Sequence, residues 1–354
     1  MDPVRAALVG YGLAGRLFHA PFIKATDGIE LAVVVTSDPG RQAGFRAAHP
    51  GAAVVDRTDA LWDVAAQLGV EVVVVATPNR AHVPVALAGL EAGLGVIVDK
   101  PFAASAEEGR RVVAEAHRRG LFLSVFQNRR WDGDFLTVRR LVDAGALGHV
   151  WRFESRYERW RPEPRAGAWR ERGDPADAGG LLADLGSHLV DQAVVLLGPP
   201  VSVYAELHRR RPGAEVDDDT FVALEHRSGA RSHLWASAVA SRPGPRFRVL
   251  GSEAGYVIWG MDPQEQALVD GLSPGGAGWG ASPPDRDGSV GVGDDVATVP
   301  TEAGNYGRFY EGVVASLRSG APPPVAPAEA LLTLEVIDAA RRSAATGKPI
   351  SLRA

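Results

Sequence analysis

Lysine is rare in this chain, and one lysine occupies a position where an amine could take part in chemistry. The sequence contains three lysines against 35 arginines. Lys100 follows the apolar run 95–98 and directly precedes Pro101. An amine is a compact point charge that can lose its proton when its pKa falls, whereas a guanidinium stays charged. Lys100 is therefore a candidate catalytic residue, and the alternative is that a lysine falls there by chance.

A second group of polar residues lies in an apolar segment that begins after Gly179 and Gly180. Asp184 and His188 are four residues apart and Asp191 lies three further on, so on an α-helix they share one face. A carboxylate one turn from an imidazole orients the ring and raises its basicity, which suits a proton shuttle near neutral pH. The alternative is structural, with Asp184 as a helix cap and His188 satisfied in the core. No metal site is indicated, because the sequence has no H-E-x-x-H pattern or comparable cluster.

A glycine-rich turn near the start of the sequence has the spacing of a dinucleotide-binding loop. The pattern G-x-G-x-x-G follows an apolar run and opens a predicted helix, which is the context that this motif requires. Its candidate contact residues are Gly10, Gly12, Leu13, Ala14 and Gly15. The glycines permit a tight turn, a close pyrophosphate and close packing of helix on strand, and the helix N-terminus offers N–H groups to the phosphates. A dinucleotide site is predicted; the alternative is a glycine-rich turn in a packed sheet.

The end of the second predicted strand bears on which dinucleotide is bound. NAD enzymes usually carry an acid there for the ribose 2′-hydroxyl, but this position holds Thr36. Thr36 and Ser37 could donate hydrogen bonds to a 2′-phosphate, and Arg41 could pair with it. A shift of one residue would restore an acid at Asp38, but its place before Pro39 predicts a turn and helix cap instead. NADP is therefore favoured over NAD.

Two further loops supply candidate cofactor contacts. Thr77, Pro78 and Asn79 follow the strand predicted at 72–76, at the carboxyl edge where such sheets bind ligands. His82 begins the next predicted helix, and a helix N-terminal residue without a catalytic role is the simpler interpretation of it. Asp99 and Lys100, after the run 95–98, complete the set of candidate cofactor contacts.

The first third of the chain alternates short apolar strands with helices. Strands are predicted at 6–9, 31–35, 72–76, 95–98 and 121–125. Helices are predicted at about 14–26, 42–49, 81–92 and 106–119. Alternation of this kind implies βαβ units, and wholly apolar strands imply a parallel sheet that is covered on both faces. A Rossmann dinucleotide-binding domain is predicted over residues 1–126.

The pattern changes after about residue 126, where a second, α+β domain is predicted over residues 127–354. Half-polar strands with period two fit an antiparallel sheet with one open or partner-covered face. They are predicted at 151–157, 202–208, 221–226, 231–238 and 246–250, with helices at about 135–144 and 327–345. The stretch 273–295 is rich in Gly, Pro, Ser and Asp and is interpreted as a mobile loop or an insertion.

The composition excludes several classes of protein. A length of 354 residues, 45% hydrophobic and 23% charged, suggests a globular protein with two domains. The net charge of −5 and the short, isolated basic clusters give no nucleic-acid footprint. The absence of cysteine excludes disulfides and thiol chemistry. No run approaches ~18 apolar residues and the first residues do not resemble a signal peptide, so a cytoplasmic protein without a membrane partner is expected.

Three of these patterns together resemble the signatures of the Gfo/Idh/MocA oxidoreductase family. They are the glycine-rich loop 10–15, Asp99-Lys100-Pro101, and Gly179-Gly180 followed by Asp184, His188 and Asp191. The family commonly has Glu-Lys-Pro, so Asp99 is a mild departure. Segments 15–21 and 124–135 are similar to the branch that holds NADP-dependent scyllo-inositol dehydrogenases, which more often has histidine at the position of Gln127.

The resemblance implies a Rossmann domain followed by a domain with a large open, mostly antiparallel sheet, whose face usually forms the oligomer interface. Because half-polar strands need a partner, a homodimer or homotetramer is expected. The resemblance also implies a catalytic set of Lys100, Asp184 and His188, which rarity and helix spacing had selected independently.

The function that follows is hydride transfer between a polyol or sugar hydroxyl and NADP, with scyllo-inositol or a related cyclitol as the best guess. His188 would act as general base, Asp184 would orient it, Lys100 would polarise the reacting oxygen, and a cleft between the domains would bring them to the nicotinamide. Besides Asp184 and His188, the candidate substrate contacts are Arg130, Trp131, Asp132, Tyr157, Arg161 and Trp169.

For each of these contacts a structural role is the alternative: an ion pair between Arg130 and Asp132, and a place in the core for the two tryptophans. Rival functions are an enzyme of the same fold acting on another sugar, an imine or a tetrapyrrole, and a non-catalytic nucleotide-binding regulator.

Overall fold

The computed structural model describes residues 2–165 and 167–352. The strands, in chain order, are β1 (Val4–Val9), β2 (Ile29–Val35), β3 (Ala53–Val55), β4 (Val72–Val75), β5 (Gly95–Asp99), β6 (Leu123–Phe126), β7 (Val150–Glu158), β8 (Pro200–His208), β9 (Asp219–His226), β10 (Arg231–Ser237), β11 (Phe247–Gly251), β12 (Gly255–Ile258), β13 (Gly288–Val292), β14 (Asp295–Val299) and β15 (Ile350–Ser351). The α-helices are α1 (Ala20–Ala25), α2 (Pro39–Ala48), α3 (Leu61–Gln67), α4 (His82–Glu91), α5 (Ala106–Arg119), α6 (Gly133–Asp143), α7 (Ser187–Leu197), α8 (Gln264–Val269), α9 (Gly307–Ser319) and α10 (Pro327–Thr346). Two π-helical turns, Gly15–His19 and Leu182–Gly186, directly precede α1 and α7.

The chain forms two compact units. Unit 1 contains the chain up to residue 128 together with 265–277 and 306–331, and unit 2 contains 129–264, 278–305 and the chain from 332 onward. Two later segments of the chain, 265–277 and 306–331, thus return to unit 1.

The sheet of unit 1 is parallel throughout. Its described strands have the order β3-β2-β1-β4-β5-β6, so the direction of winding reverses between β1 and β4. Strands such as β4, Val72–Val75, are buried along their whole length, which is why their sequence is continuously apolar. In doubly wound sheets of this order, ligands bind outside the carboxyl ends of the strands near the reversal. The predicted Rossmann architecture is confirmed.

The sheet of unit 2 is large and mostly antiparallel, as predicted. The order of its described strands is β14-β13-β12-β11-β7-β10-β9-β8-β15, and only β7 and β10 pair in parallel. One face packs against α6, α7 and the second half of α10, through residues such as Phe135, Val190 and Ile337. On the opposite face the alternate side chains, among them Phe221 and Trp235, are only half-buried.

The segment Pro175–Leu197 is long and apolar enough to cross a membrane by length and composition. However, 67% of its most apolar window is buried inside the structure. Burial of this extent is what the core helix of a folded domain shows, and α7 is such a helix.

The interpretation of residues 273–295 as a loop is wrong in its last part. Gly288–Val292 forms β13, which pairs antiparallel with both β12 and β14 and extends the sheet. A glycine is required at the start of this strand because a Cβ on Gly288 would collide with the ring and hydroxyl of Tyr256. Glycine-rich sequence favours a loop, whereas at Gly288 the glycine allows close approach to a buried aromatic ring.

Candidate active site

The glycine-rich loop of unit 1 is built around two close backbone contacts. Gly10 follows β1 with φ +99°, and a Cβ there would lie 2.5 Å from the carbonyl oxygen of Ala76, at the end of β4. A Cβ on Gly15 would collide with the carbonyl oxygen of Gly10. Glycine at these two positions therefore lets the loop turn over the carboxyl ends of β1 and β4 and lets the next helical turn pack against it.

The middle of the loop and the neighbouring Thr77 fit a bound dinucleotide. A Cβ on Gly12 would point into open space, with only the guanidinium of Arg41 within 4 Å. Leu13, at the tip, is 58% exposed although it is apolar. Thr77 Oγ1 is buried and has no hydrogen-bond partner among the described residues. An open cradle beside an unsatisfied hydroxyl is the arrangement expected where a pyrophosphate and ribose approach the backbone.

The end of β2 has no free acid, as predicted. Asp38 is the N-cap of α2: its Oδ1 accepts a hydrogen bond from the Arg41 backbone N–H at 2.8 Å, and Pro39 follows in the first turn. Thr36 is buried, while Ser37 and Arg41 are exposed. The Arg41 guanidinium lies 3.9 Å from the Cβ position of Gly12. A cation therefore lies near the glycine loop, while the carboxylate of Asp38 caps α2.

Lys100 lies directly after the carboxyl end of β5, and Asp99 fixes its backbone. Asp99 Oδ1 accepts the Lys100 N–H at 2.8 Å. Asp99 Oδ2 lies 3.9 Å from Nε2 of His19, a charge contact that is too long for a hydrogen bond. Burial raises the pKa of Asp99, but interactions with His19, Lys100 and His82 outweigh it, so the net pKa lies below its usual value. The group beside Lys100 is therefore a carboxylate.

Two buried histidines flank this turn. His19, in the first π turn, lies 2.7 Å through Nδ1 from the hydroxyl of Tyr310, and its ring packs on Phe126. Burial raises the pKa of Tyr310 well above its usual value. His82, at the start of α4, lies 2.9 Å through Nδ1 from the carbonyl oxygen of Pro101 and 2.9 Å through Nε2 from that of Thr77. The cofactor candidates Thr77, Pro78 and Asn79 are therefore tied to the Lys100 turn through His82.

In unit 2, Asp184 lies in a π turn rather than in the α-helix that its spacing to His188 assumed. The turn Leu182–Gly186 has a wider hydrogen-bonding pattern than an α-helix, and α7 begins only at Ser187. The prediction of a regular helix face over Asp184, His188 and Asp191 was thus wrong in its first turn. Ser187 Oγ donates to the carbonyl oxygen of Asp184 at 3.3 Å.

Asp217 anchors the start of this π turn, and sequence reasoning missed it. Its Oδ2 accepts the Leu182 N–H at 2.7 Å, and its carbonyl oxygen accepts the Leu181 N–H at 2.9 Å. Gly180 has φ +94°, and a Cβ there would collide with the Asp217 carboxylate. The run Asp217-Asp218-Asp219 is the only sequence signal that could have indicated it, and such runs usually belong to a solvated surface.

Within unit 2, Asp184 has a cationic neighbour and His188 has an aromatic one. Asp184 Oδ1 lies 3.4 Å from Nε of Arg170, and the Arg170 guanidinium stacks 4.3 Å over the ring of Trp169. His188 is 4% exposed and meets the edge of Tyr157, with ring centroids 6.4 Å apart. Trp169 and Tyr157, both predicted substrate contacts, therefore lie beside the two predicted catalytic residues of this unit.

Three of the predicted substrate contacts are buried in the interior of unit 2. Arg130 forms a bidentate ion pair with Asp191, at 2.7 and 2.8 Å. Asp132 lies 3.4 Å from Arg129, and the hydroxyl of Tyr157 accepts from Arg246 at 2.7 Å. The partner of Arg130 shown by these contacts is thus Asp191. In this structure the three side chains support the His188 region from inside the fold.

Trp131 and Arg161, the other predicted substrate contacts, are more open. Trp131 is half-buried, and its carbonyl oxygen accepts the Asn305 N–H at 3.0 Å. Arg161 is exposed, and its N–H donates to the carbonyl oxygen of Ala238 at 2.7 Å. Their backbones are fixed by neighbouring segments of unit 2, while their side chains keep access to the surface.

A cluster of buried carboxyl groups lies under Trp131. Burial, followed by the charges of Asp132 and Asp134, raises the pKa of Asp262 to about 8. Burial is also the main cause that raises the pKa of Asp134 to about 6. Asp262 accepts hydrogen bonds from the backbone N–H groups of Gly133 and Gln264. Within residues 2–165 and 167–352, no group of three His, Cys, Asp or Glu side chains could hold a metal ion.

The predicted residues thus fall into one group in each unit. The glycine loop, Thr36, Ser37, Arg41, Thr77, Asn79, His82, Asp99 and Lys100 follow the carboxyl ends of neighbouring strands in unit 1. Asp184, His188, Tyr157 and Trp169 belong to unit 2. The first group can bind a dinucleotide and present an amine, and the second can move a proton.

Two family models match the chain, one in each half. Residues 4–127 match the family model described as "Oxidoreductase family, NAD-binding Rossmann fold". Residues 139–352 match the model described as "Oxidoreductase family, C-terminal alpha/beta domain". The two matches cover both units of the chain.

Similar proteins match over nearly the full length. The chain is 38% identical to the uncharacterized oxidoreductase YdgJ of Escherichia coli (strain K12), over 97% of each chain. It is 33% identical to the scyllo-inositol 2-dehydrogenase (NADP(+)) IolW of Bacillus subtilis (strain 168), over 99% of this chain and 97% of that one. Among solved structures, a putative oxidoreductase yvaA from Bacillus subtilis matches with a TM-score of 0.92 and 32% identity, over 99% and 100% of the two chains. The chain therefore belongs to the Gfo/Idh/MocA oxidoreductase family and has its NAD-binding Rossmann fold.

Proposed function

We propose that this protein is an NADP-dependent dehydrogenase that oxidises a secondary hydroxyl of a polyol or sugar, with scyllo-inositol or a related cyclitol as its substrate. The observation that carries the proposal is the position of Lys100 after the carboxyl end of β5, with its backbone held by the Asp99 carboxylate, at the sheet edge that also carries the glycine loop. Full-length similarity to a protein described as a scyllo-inositol 2-dehydrogenase supports the choice of substrate.

The preference for NADP is supported by the end of β2. The carboxylate of Asp38 accepts a hydrogen bond from the Arg41 N–H and thereby caps α2. Ser37 is exposed shortly after the end of β2, and the exposed Arg41 has its guanidinium 3.9 Å from the Cβ position of Gly12. A hydroxyl donor and a guanidinium suit a 2′-phosphate, since a guanidinium pairs with phosphate oxygens.

In the proposed reaction each residue has a separate task. When bound, the oxidised dinucleotide supplies the acceptor for the hydride. The substrate carbon loses its hydrogen with the bonding electron pair, the hydroxyl proton passes to the ring of His188, and the carbon–oxygen double bond forms. Lys100 donates a hydrogen bond to the reacting oxygen and stabilises the negative charge that develops there.

Asp184 supports His188 in this scheme. Its carboxylate orients the ring and stabilises the imidazolium that forms after proton transfer. Arg170 lies beside Asp184 and stacks on Trp169, so the loop that carries Trp169 is linked to the same carboxylate. In the reverse direction His188 protonates a ketone oxygen.

The test is a substrate panel of inositols and other sugars, run with NADP and with NAD, on purified wild-type protein and variants. We expect turnover of a cyclitol with NADP. His188→Ala should lower kcat by about 10²–10⁴-fold, the usual contribution of a general base, with little change in dinucleotide affinity. His149→Ala is the matched control, because His149 is an exposed histidine of the same unit.

Four outcomes would contradict parts of the proposal. Wild-type turnover by His188→Ala would show that His188 is not the general base. Dinucleotide binding without turnover of any polyol or sugar would favour a nucleotide-binding regulator. Equal catalytic efficiency with NAD and NADP would contradict the preference for NADP. An unchanged NADP preference in Arg41→Ala would show that Arg41 does not contact the 2′-phosphate.

A second candidate function is oxidation of another sugar by the same chemistry. The chain is also 28% identical to the D-glucoside 3-dehydrogenase of Escherichia coli (strain K12), over 58% of both chains. Glucosides therefore belong in the panel, and turnover of a glucoside in preference to cyclitols would support this alternative.

A further inference from the structure

His82 is a buried histidine with an acceptor on each side of its ring. It is 1% exposed. Nδ1 lies 2.9 Å from the carbonyl oxygen of Pro101, and Nε2 lies 2.9 Å from that of Thr77. A carbonyl oxygen can only accept a hydrogen bond, and a neutral imidazole carries a single N–H. A neutral ring would therefore satisfy one carbonyl and direct a lone pair at the other.

We propose that His82 is an imidazolium in the folded protein, and that this charged ring is a positioning residue that joins the backbone of the Thr77 loop to that of the Lys100–Pro101 turn. The charged form donates to both carbonyl groups at once. The effect of His82 on turnover rests on the proposed function, because His82 acts through Lys100. The charge of His82 does not depend on that function.

Two effects oppose the charge, and specific groups offset them. Burial disfavours an imidazolium, and the N-terminus of α4 is the positive end of a helix dipole. The carboxylate of Asp99 provides the counter-charge, and an electrostatic interaction with His82 is one of the causes that lower the pKa of Asp99. The other titratable groups around Asp99 include Lys100, His19 and Tyr310.

His19 does not require a positive charge for its own hydrogen bond. Its Nδ1 faces the hydroxyl of Tyr310, which can donate as well as accept. Burial keeps that phenol protonated, since it raises the pKa of Tyr310 well above its usual value. Of the two buried histidines at this edge, only His82 has both ring nitrogens against carbonyl oxygens in the bonds described.

The chain contains a natural comparison for His82. His226 is also 1% exposed, and its Nδ1 lies 2.7 Å from the carbonyl oxygen of Gly198. Its Nε2 lies 2.7 Å from Oγ of Ser232, a hydroxyl that can donate to the ring. A neutral His226 satisfies both contacts, and burial lowers its pKa. His82 and His226 therefore differ at Nε2: the partner of His226 is a hydroxyl that can donate a hydrogen bond, whereas the partner of His82 is a carbonyl oxygen that can only accept one.

The charge has a direct consequence for the neighbouring loops. Thr77 follows β4 and Pro101 follows Lys100, so the two carbonyl groups belong to the two loops that carry the proposed cofactor and polarising contacts. Loss of the proton leaves one of the two bonds unmade and frees one loop from the other. Lys100 is then less well fixed relative to Thr77.

The charge is tested by NMR of the full-length protein labelled with ¹⁵N-histidine. The measurement is made at about pH 7.5, roughly one unit above the ordinary histidine pKa of about 6.5. We expect both ring nitrogens of His82 to show protonated shifts, while His226 shows one protonated and one unprotonated nitrogen. Signals are assigned from His82→Gln and His226→Gln, with His82→Asn as the second choice if His82→Gln does not fold. A neutral pattern for His82 at this pH would overturn the proposal.

The positioning role is tested by the pH dependence of kcat. Wild-type kcat should fall as pH rises through the midpoint at which His82 loses its proton by NMR, and His82→Gln should lack that step. We expect His82→Gln to lower kcat about tenfold with little change in KM for the dinucleotide, and His226→Gln to keep the wild-type profile. Identical profiles in wild type and His82→Gln would overturn the role. If no substrate is turned over, the proposed function is wrong. The NMR experiment still measures whether His82 is charged.

Discussion

At the scale of single residues, buried carboxyl groups link the stability of unit 2 to pH. Burial and mutual repulsion raise the pKa of Asp262 to about 8, and burial is the main cause that raises the pKa of Asp134 to about 6. Arg246, whose Nε lies 3.4 Å from Asp134, limits the effect there. Folding therefore takes up protons around neutral pH, because the folded protein holds them more tightly than the unfolded chain.

The sign of the resulting pH dependence is set by the direction of the shift. An acid whose pKa is raised on folding contributes stability below its unfolded pKa of about 4, and this is lost as pH rises through the folded pKa. We expect the free energy of unfolding to fall between about pH 5 and pH 8.5 by on the order of 2–3 kcal/mol more in wild type than in Asp262→Asn. Urea unfolding at the two pH values measures it.

The control for this experiment is Asp285→Asn, which changes an exposed aspartate of the same unit. The readout is the change in the free energy of unfolding with pH and not its absolute value. The side-chain amide of Asp262→Asn also changes the hydrogen bonds to Gly133 and Gln264, but it does so at every pH. The assignment of the proton to Asp262 is wrong if Asp262→Asn keeps the wild-type slope.

At the scale of elements, the π turn before α7 depends on how it is entered. Gly180 has a positive φ and lies against the carboxylate of Asp217, which binds the first N–H of the turn. Burial raises the pKa of Asp217, and hydrogen bonds from the N–H groups of Leu182 and Leu181 act against it. The direction of Asp184 is therefore set by a residue in another segment of unit 2.

Gly180→Ala should destabilise the start of the π turn by more than the backbone strain of a positive φ alone. A methyl group at Gly180 meets the Asp217 carboxylate, whereas at Gly213, with φ +75°, it meets nothing within 4 Å. We expect Gly213→Ala to cost about 1 kcal/mol from backbone strain and Gly180→Ala about 2–4 kcal/mol, with a fall in kcat for Gly180→Ala only. Thermal unfolding and turnover measure the two effects. Equal losses in both variants would show that the contact with Asp217 carries no energy.

Much of the Rossmann unit could be predicted from sequence because its signals are local. The run 72–75 is apolar throughout, backbone contacts require glycine at Gly10 and Gly15, and Asp38-Pro39 is a complete helix start. The helix predicted at 106–119 matches α5 at both ends, since Ser105 caps it and Gly120, at φ +66°, ends it.

The features that sequence reasoning missed depend on partners far away in the chain. Nothing in residues 180–188 specifies a π turn, because its anchor is Asp217. The pairing of Arg130 with Asp191 joins residues 61 positions apart, whereas the sequence offered Asp132 as a nearer partner. Strand β13 contains two glycines and owes its place to pairing with β12 and β14.

At the scale of the whole molecule, the open face of the large sheet predicts self-association. Phe221 and Trp235 pack on this face with ring centroids 5.2 Å apart, and the Arg156 guanidinium lies 4.0 Å from the centre of the Trp235 ring. Half-buried aromatic residues beside arginine are typical of the centre of a protein interface. A second copy of the chain is the partner that a homodimer or homotetramer would supply.

Trp235→Arg should therefore weaken the oligomer. We expect association to fall about tenfold or more, because the aromatic surface is lost and a second cation is placed beside Arg156. Light scattering after size-exclusion chromatography, over a range of concentrations, measures it. Trp151→Arg is the control, since Trp151 is 57% exposed but belongs to the alternate set of side chains on β7. An unchanged mass for Trp235→Arg, or a monomeric wild type, would rule out this face as the interface.

The π turn at Leu182–Gly186 also affects how relatives of this chain should be compared. A π turn holds one more residue than the α-helical turn it replaces, and each residue of an α-helix turns the chain by about 100°. A relative with one residue fewer between Gly180 and His188 would keep every motif letter, yet its aspartate would point in a different direction from its histidine. Across the family, the number of residues in this short interval is therefore as informative about activity as the residues themselves.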